Sequence, residues 1–156
     1  MAGTFVKFDT REIEQLVRRM NQGATLKPAD RNQLLKSLGA EIEDQTRERF
    51  DTKKTPEGTS WKDIADATRE YYSKAFPGAQ PSLVVTGGLR DSIETQSQGQ
   101  WAVIVGATKE YAAVHQWGWE ARNIDARPYL GIGPQDEQAL AGIAIEFIQG
   151  LLARPA

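Results

Sequence analysis

The segment WAVIVGA, residues 101–107, constrains the fold most, because it is the strongest strand prediction in the chain. Its residues alternate so that Trp101, Val103 and Val105 share one face of an extended strand. The preceding QGQ is typical of a hairpin turn around Gly99. We therefore expect LRDSIETQS, residues 89–97, to pair with this strand in antiparallel orientation.

Other short segments also have strand character. FVKFDT near the start alternates loosely in hydrophobicity, SLVVTGG (residues 82–88) is β-branched, and ARPYLGIG (residues 126–133) suits an extended segment with Pro128 at its start or edge. The sequence thus predicts an antiparallel sheet of about four strands, placed at roughly residues 83–131.

Apolar residues at helical spacing predict helices before and after these strands in the sequence. A first helix is expected around Ile13 to Met20, and a long second helix around residues 28–50. The stripe of the second helix consists of Leu34, Leu35, Leu38, Ile42 and Thr46, with Gly39 placed for close packing. A third helix is expected from a cap at Ser60 through Phe76. The last helix starts at Pro134, and its predicted buried face is Leu140, Ile143, Ala144, Phe147, Ile148 and Leu151.

These patterns predict the α+β class, with the sheet packed against the long helix of the N-terminal half and against the C-terminal helix. The length of 156 residues suits a single domain, residues 1–156. Within it we expect a helical first half at 10–75, the sheet at 83–131 and the C-terminal helix at 134–152. Two Pro/Gly-rich breaks are expected: Asp51 to Ser60 lies within the helical half, and Pro77 to Ser82 lies between that half and the sheet.

Composition excludes several classes of function. The net charge of −2, from 19 basic and 21 acidic residues, argues against a protein that coats nucleic acid. The chain has no cysteine, which excludes disulfides, thiolate catalysis and cysteine-based metal centres. No segment resembles a signal peptide or a membrane span, so we expect no membrane association and synthesis in the cytoplasm.

His115 is the only histidine, and its neighbours Gln116 and Trp117 invite a catalytic interpretation. A metal site would need carboxylates for every other ligand, which zinc sites seldom use. A general base would need a nucleophile and an orienting acid, and no signature of either is present. The glycines at 87 and 88 match no phosphate-binding pattern and suit a turn. The sequence therefore predicts no catalytic, cofactor or metal site, and His115 is interpreted as a structural or interface residue.

Trp117 and Trp119 leave two alternatives open. Residues two apart point in different directions on a helix and to the same side of a strand. Either both tryptophans pack in the core, or one of them reaches the surface, where tryptophan is enriched at contact sites.

Several short motifs follow one another in a specific order: RERF, TPEGTSW, DATREYYSK, LVVTGGLRDSI, AVIVGATKEYAAVHQWG and ARPYLGIGPQD. Together, across residues 47–137, they resemble the phage virion morphogenesis family of Mu-like phages, a tail-completion or head–tail joining group. Gly88 departs from the Thr-Gly-x-Leu element but keeps its spacing.

The resemblance implies a virion component without catalytic activity, assembled in the host cytoplasm and placed at the neck or tail. Its implied partners are other copies of itself in a ring, expected to be a hexamer, and neighbouring connector and tail proteins. DNA would pass through the ring without sequence-specific binding. Motif residues and tryptophans are the interface candidates: Trp61, Arg90, Tyr111, His115, Gln116, Trp117, Trp119 and Arg127. Trp119 and the loop at residues 51–60 are expected to make contacts between subunits or with the neck.

Three other functions remain open from the residues alone. The protein could be an early head-assembly factor that is not retained in the mature particle. It could be a hydrolase that uses His115 as its base, or a protein that binds DNA at the neck. A loss of reaction rate in His115→Ala would support the hydrolase. Salt-dependent binding to duplex DNA would support the DNA-binding protein.

Overall fold

The computed structural model describes residues 4–9, 11, 15, 26–77, 83 and 86–154. Its helices are α1 (Pro28–Thr52), α2 (Asp66–Ala75), α3 (Ala112–Trp117) and α4 (Pro134–Leu152). Its strands are β1 (Thr4–Asp9), β2 (Ile93–Gln98) and β3 (Ala102–Ala107). This arrangement confirms the predicted α+β class. The first predicted helix, around residues 13–20, lies outside the described residues apart from Gln15.

The sheet has the order β1–β3–β2, and both pairings are antiparallel. The segment predicted most strongly is thus the central strand, with Val105 paired to Val6 on one side and to Thr95 on the other. Gly99 has a φ of +68°, a value that glycine adopts freely, and it lies in the predicted turn between β2 and β3.

The prediction of four strands was wrong by one for the residues that the structure describes. The segment 126–133 forms no strand, because its backbone groups bond to side chains instead of to a neighbouring strand. In SLVVTGG, residues 86–88 lie in turns, and residues 82, 84 and 85 are outside the described part. The third strand comes from FVKFDT instead, so the sheet is not confined to residues 83–131.

Helix α1 packs across one face of the sheet, and its whole predicted stripe is buried. Gly39 brings the helix close to β2, where the Thr95 hydroxyl donates to the Gly39 carbonyl at 3.1 Å and to Glu43 at 2.8 Å. A Cβ on residue 39 would lie 2.4 Å from the Thr95 methyl carbon. Glycine is therefore required here by the short distance between helix and strand.

Gly39→Ala is expected to destabilise the fold by about 1–3 kcal/mol, because the added methyl group overpacks this contact. Thr95→Ser removes the obstructing methyl and keeps the hydroxyl. The double variant should therefore lose less stability than Gly39→Ala alone, as measured by urea unfolding. If the two effects simply add, the methyl–methyl clash is not the cause.

The region after α1 differs from the predicted helix that begins at Ser60. Trp61 is buried in an extended stretch, and its backbone N–H donates to the Lys53 carbonyl at 2.8 Å. Helix α2 therefore starts only at Asp66. None of its side chains is buried, and Tyr71 is 65% exposed.

Helix α4 begins at Pro134, as predicted, and packs against α1. Its predicted apolar face is only half-buried, and Asp136 is its one buried residue. Among the described residues, no helix combines the length and apolar character that crossing a bilayer requires.

Candidate interaction surface

Side chains from three parts of the chain bind the backbone of the irregular segment at residues 124–133. The Trp61 indole N–H donates to the Pro128 carbonyl at 2.8 Å. The ring of Phe50 contacts those of Trp61 and Tyr129, with centroids 5.6 and 5.1 Å away. The Tyr129 hydroxyl donates to the Ala112 carbonyl at 3.2 Å, and burial raises the pKa of this phenol. This aromatic cluster fixes the segment against the core.

The Gln116 side chain forms the hydrogen bonds that a neighbouring strand would otherwise form with this segment. Its side-chain oxygen accepts the backbone N–H groups of Tyr129 and Leu130, each at 3.0 Å. Its amide nitrogen donates to the Leu130 carbonyl at 2.8 Å. Gln116 is 3% exposed, so these three bonds satisfy backbone groups that water does not reach.

Arg127 is also buried, and it binds the extended stretch that precedes α2. Its guanidinium donates to the carbonyls of Lys62 at 3.0 Å, Asp63 at 3.2 Å and Asp125 at 3.4 Å. Three interface candidates, Trp61, Gln116 and Arg127, therefore lie inside the chain.

A buried ion pair, which the sequence reasoning missed, joins α1 to α4. Arg49 forms a salt bridge with Asp136 and donates to the carbonyls of Tyr129 at 2.8 Å and Gly131 at 3.1 Å. The same Asp136 oxygen accepts the Gly133 N–H at 2.6 Å and so caps α4. One sequence signal was available, because Arg49 lies seven residues after Ile42 on the apolar stripe.

The buried residues described above, which are Trp61, Gln116, Arg127 and the pair Arg49–Asp136, form a framework for this part of the chain. Both tryptophans that follow His115 are exposed outside it. Trp117, at the end of α3, is 71% exposed, and Trp119 is 44% exposed. The Trp119 backbone bonds to Ile124, and the Arg122 guanidinium lies 4.7 Å from its ring centroid. The alternative in which both tryptophans pack in the core is thereby excluded for the isolated chain.

A groove of about 390 Å³ lies between α3, the stretch before α2 and the turn at 123–127. Its walls combine aromatic and aliphatic side chains with His115 and Arg127. The lining residues that matter most are Ile64, Tyr72, Leu89, Tyr111, His115 and Ile124. Tyr111 is half-exposed at its rim and packs edge-on against His115, with ring centroids 5.8 Å apart.

Arg90 lies apart from the groove lining. It forms salt bridges of 3.3 Å with Asp51 and with Asp91, so it joins the end of α1 to the turn before β2. The eight interface candidates thus divide into buried framework residues, groove residues, the exposed tryptophans and this surface ion pair.

His115 is half-buried and lines the groove. Its Nδ1 atom is buried without a hydrogen-bond partner, so no acid orients the ring through that nitrogen. Burial and, secondly, the positive charge of Arg127 lower the pKa of His115 below its usual 6.5. Within the described part of the chain, no group of three metal-ligating side chains comes together.

The lowered pKa of His115 predicts a pH dependence of stability. The unfolded chain takes up the proton near pH 6.5, whereas the folded chain takes it up only at a lower pH. The stabilising contribution is therefore complete above about pH 7 and is lost as the pH falls through the folded-state pKa. Urea unfolding between pH 7.5 and 5 should show this loss, and His115→Gln should reduce it. Identical pH profiles for the two proteins would contradict the burial argument.

Comparisons with known proteins agree with the motif order. The model of the phage virion morphogenesis family matches residues 9–149. A protein of Escherichia phage Mu described as "Putative capsid assembly protein G" is 30% identical over 112 residues, which cover 66% of this chain and 70% of the relative. "Mu-like prophage FluMu G protein 2" of Haemophilus influenzae is 29% identical over 149 residues, covering 92% and 94%. No solved structure matches the chain.

The matched residues run from the last residue of β1 through most of α4, and they include the groove, both exposed tryptophans and the buried residues Arg49, Trp61, Gln116 and Arg127. The match therefore extends over nearly the whole chain and is not confined to one motif. The protein belongs to the phage virion morphogenesis family.

Proposed function

We propose that this protein is a non-enzymatic structural subunit of a tailed bacteriophage. It acts in a ring at the head–tail joint or the tail terminus and is required for virion assembly. The family membership supports the general role in morphogenesis. The ring, expected to be a hexamer, its place in the virion and its contacts with connector and tail proteins are the parts proposed here.

The observation that carries the proposal is the exposure of two tryptophans beside a buried, hydrogen-bonded part of the backbone. Trp117 and Trp119 project into solvent, whereas Gln116 of α3 is buried and makes three hydrogen bonds to the 124–133 segment. Tryptophan is the residue most enriched at energetic centres of protein interfaces. A large apolar side chain on a fixed backbone loses little conformational entropy on binding, which suits a permanent contact in a particle.

A second candidate is an early head-assembly factor that is absent from the mature particle. The description of the phage Mu relative as a capsid assembly protein favours it. Both candidates use the same exposed surface, but they differ in where the protein ends up. Mass spectrometry of purified virions separates them, since only a neck or tail subunit stays in the particle.

Electron microscopy of lysates from a phage with this gene disrupted tests the proposal directly. Full heads beside separate, complete tails would support a role at the joint, and abnormally long tails would support a tail terminator. Missing or empty heads would favour the head-assembly role. Normal infectious particles would contradict all three structural roles.

Trp119→Ala and Trp117→Ala are expected to reduce the titre of infectious particles at least about tenfold, since loss of an interface tryptophan commonly costs 2 kcal/mol or more. Their free energies of unfolding should change by less than about 1 kcal/mol, because both side chains are exposed. Ile145→Ala is the matched control, since Ile145 is 55% exposed on α4. Unchanged titres for both tryptophan variants would exclude this surface as the contact site.

A further inference from the structure

A second concave site lies at the N-terminal end of α1, beside the β2–β3 hairpin. It has a volume of about 540 Å³. Leu35 and Val103 supply apolar surface. Among the residues that the structure describes, Arg31 and Lys36 are the charged groups of the lining, and none of these lining residues is a carboxylate. We call this the basic pocket; the other residues that line it are Pro28, Asn32, Ser97, Gly99 and Gln100.

Arg31 places a positive charge in the basic pocket that is almost completely buried. It is only 5% exposed, and its guanidinium lies over the Trp101 ring at 3.9 Å. One guanidinium nitrogen contacts Gln100 at 3.4 Å, but Nε has no hydrogen-bond partner. Among the described residues, no carboxylate forms a salt bridge with Arg31. A buried cation without a counter-ion is costly, and a carboxylate brought to it by a partner would compensate that cost.

The complementary charge lies further along the same helix. Glu41, Asp44 and Glu48 occupy positions i, i+3 and i+7, so they form one acidic ridge on the outer face of α1. None of them forms a salt bridge within the described residues, whereas Glu43 and Asp51 pair with Arg47 and Arg90. Lys36 and Glu48 are twelve residues apart, which is about 18 Å along the helix.

We propose that neighbouring copies of this protein contact each other head to tail, with the acidic ridge of one copy placed in the basic pocket of the next. This inference rests on the proposed ring. A ring needs two different surfaces that fit each other, and the chain carries an anionic ridge and a cationic pocket at separate points of α1. Duplex DNA is a poorer occupant, because the neighbouring acidic ridge repels phosphate.

Cysteine crosslinking tests the contact, because the natural chain has no cysteine. Ser97→Cys marks the basic pocket and Thr52→Cys marks the far end of the acidic ridge; both positions are exposed and carry no charge. The two sites lie roughly 30 Å apart along one copy, judged from the 21 residues of α1 between Arg31 and Thr52, so a short bis-maleimide cannot join them within a chain.

The double-cysteine protein is expected to give a ladder of covalent multimers beyond the dimer in lysates of phage-producing cells. Each single-cysteine protein should stay monomeric. A ladder that stops at the dimer would mean a two-fold contact, and monomer alone beside normal particles would mean no contact; either result overturns the proposal. The proposed ring has a separate test. Normal particles after disruption of the gene would contradict the ring itself, whatever the crosslinking result.

Charge reversal gives an independent measurement that does not require a crosslink. Lys36→Glu and Glu48→Lys are expected each to lower the titre of infectious particles at least tenfold, and the double variant is expected to recover most of that loss. A pocket that bound DNA would instead respond oppositely, since Glu48→Lys would strengthen binding to a short duplex. That result, or a double variant no better than either single one, contradicts the contact between copies.

Discussion

Asp136→Ala is expected to lower the free energy of unfolding by about 3–5 kcal/mol, the usual cost of leaving one member of a buried ion pair without its partner. Arg49 would remain buried, with two carbonyl bonds but no salt-bridge partner, and only the more distant charges of Glu57 and Glu48 would act on it. The N–H of Gly133 would lose its acceptor at the start of α4. Loss of this cap adds to the loss of the pair, because both depend on the same carboxylate oxygen.

Urea unfolding followed by circular dichroism measures the effect, and Glu137→Ala is the matched control. Glu137 lies in the same first turn of α4 but is exposed, so its loss should cost less than about 1 kcal/mol. Equal losses for Asp136→Ala and Glu137→Ala would show that the buried pair contributes little.

Gln116→Leu is the second large effect, with an expected loss of about 3 kcal/mol or more. The substitution leaves two backbone N–H groups and one carbonyl buried without partners, each at a cost of at least about 1 kcal/mol. The leucine side chain keeps a similar volume, so the loss reports hydrogen bonding more than packing. Thermal unfolding should detect the lower stability.

Gln116→Glu is the matched control for this position. Its carboxyl group can accept both N–H groups, but it can donate to the Leu130 carbonyl only when it is protonated. Because this variant keeps an acceptor for both N–H groups, it should lose less stability than Gln116→Leu at a pH where its carboxyl group is protonated. If Gln116→Leu is as stable as the natural protein, the three bonds do not determine the position of the 124–133 segment.

The local spacing of apolar residues was enough to predict the helices and strands whose buried residues recur at regular intervals. The α1 stripe from Leu34 to Thr46, the central strand and the hairpin turn at Gly99 follow from spacing alone. The start of α2 could not be predicted in this way. Trp61 is held by contacts with Lys53 and Pro128, and such distant partners do not alter the helical pattern of the segment that follows.

The irregular segment could not be predicted for a related reason. ARPYLGIG has the composition of a strand, but its backbone partners are Gln116 and Arg49, and Arg49 lies 80 residues before Tyr129. The pairing of Arg49 with Asp136 spans 87 residues and has no local signature. The candidate surface was predicted in part, because exposure of one tryptophan was one of the two alternatives that the sequence allowed. The contact roles of the eight candidate residues stay predictions.

Helix α2 has a consequence for the order of assembly. Ten residues without a buried side chain are too few to form a stable helix in water by themselves. Any partner that packs on this helix must therefore offset the conformational entropy lost when the helix becomes fixed. Contacts made through α2 should be weaker for their area than those made through the exposed tryptophans. In the proposed ring, a weak first contact through α2 would dissociate and form again, so that misplaced copies would be released before the tryptophan contacts form.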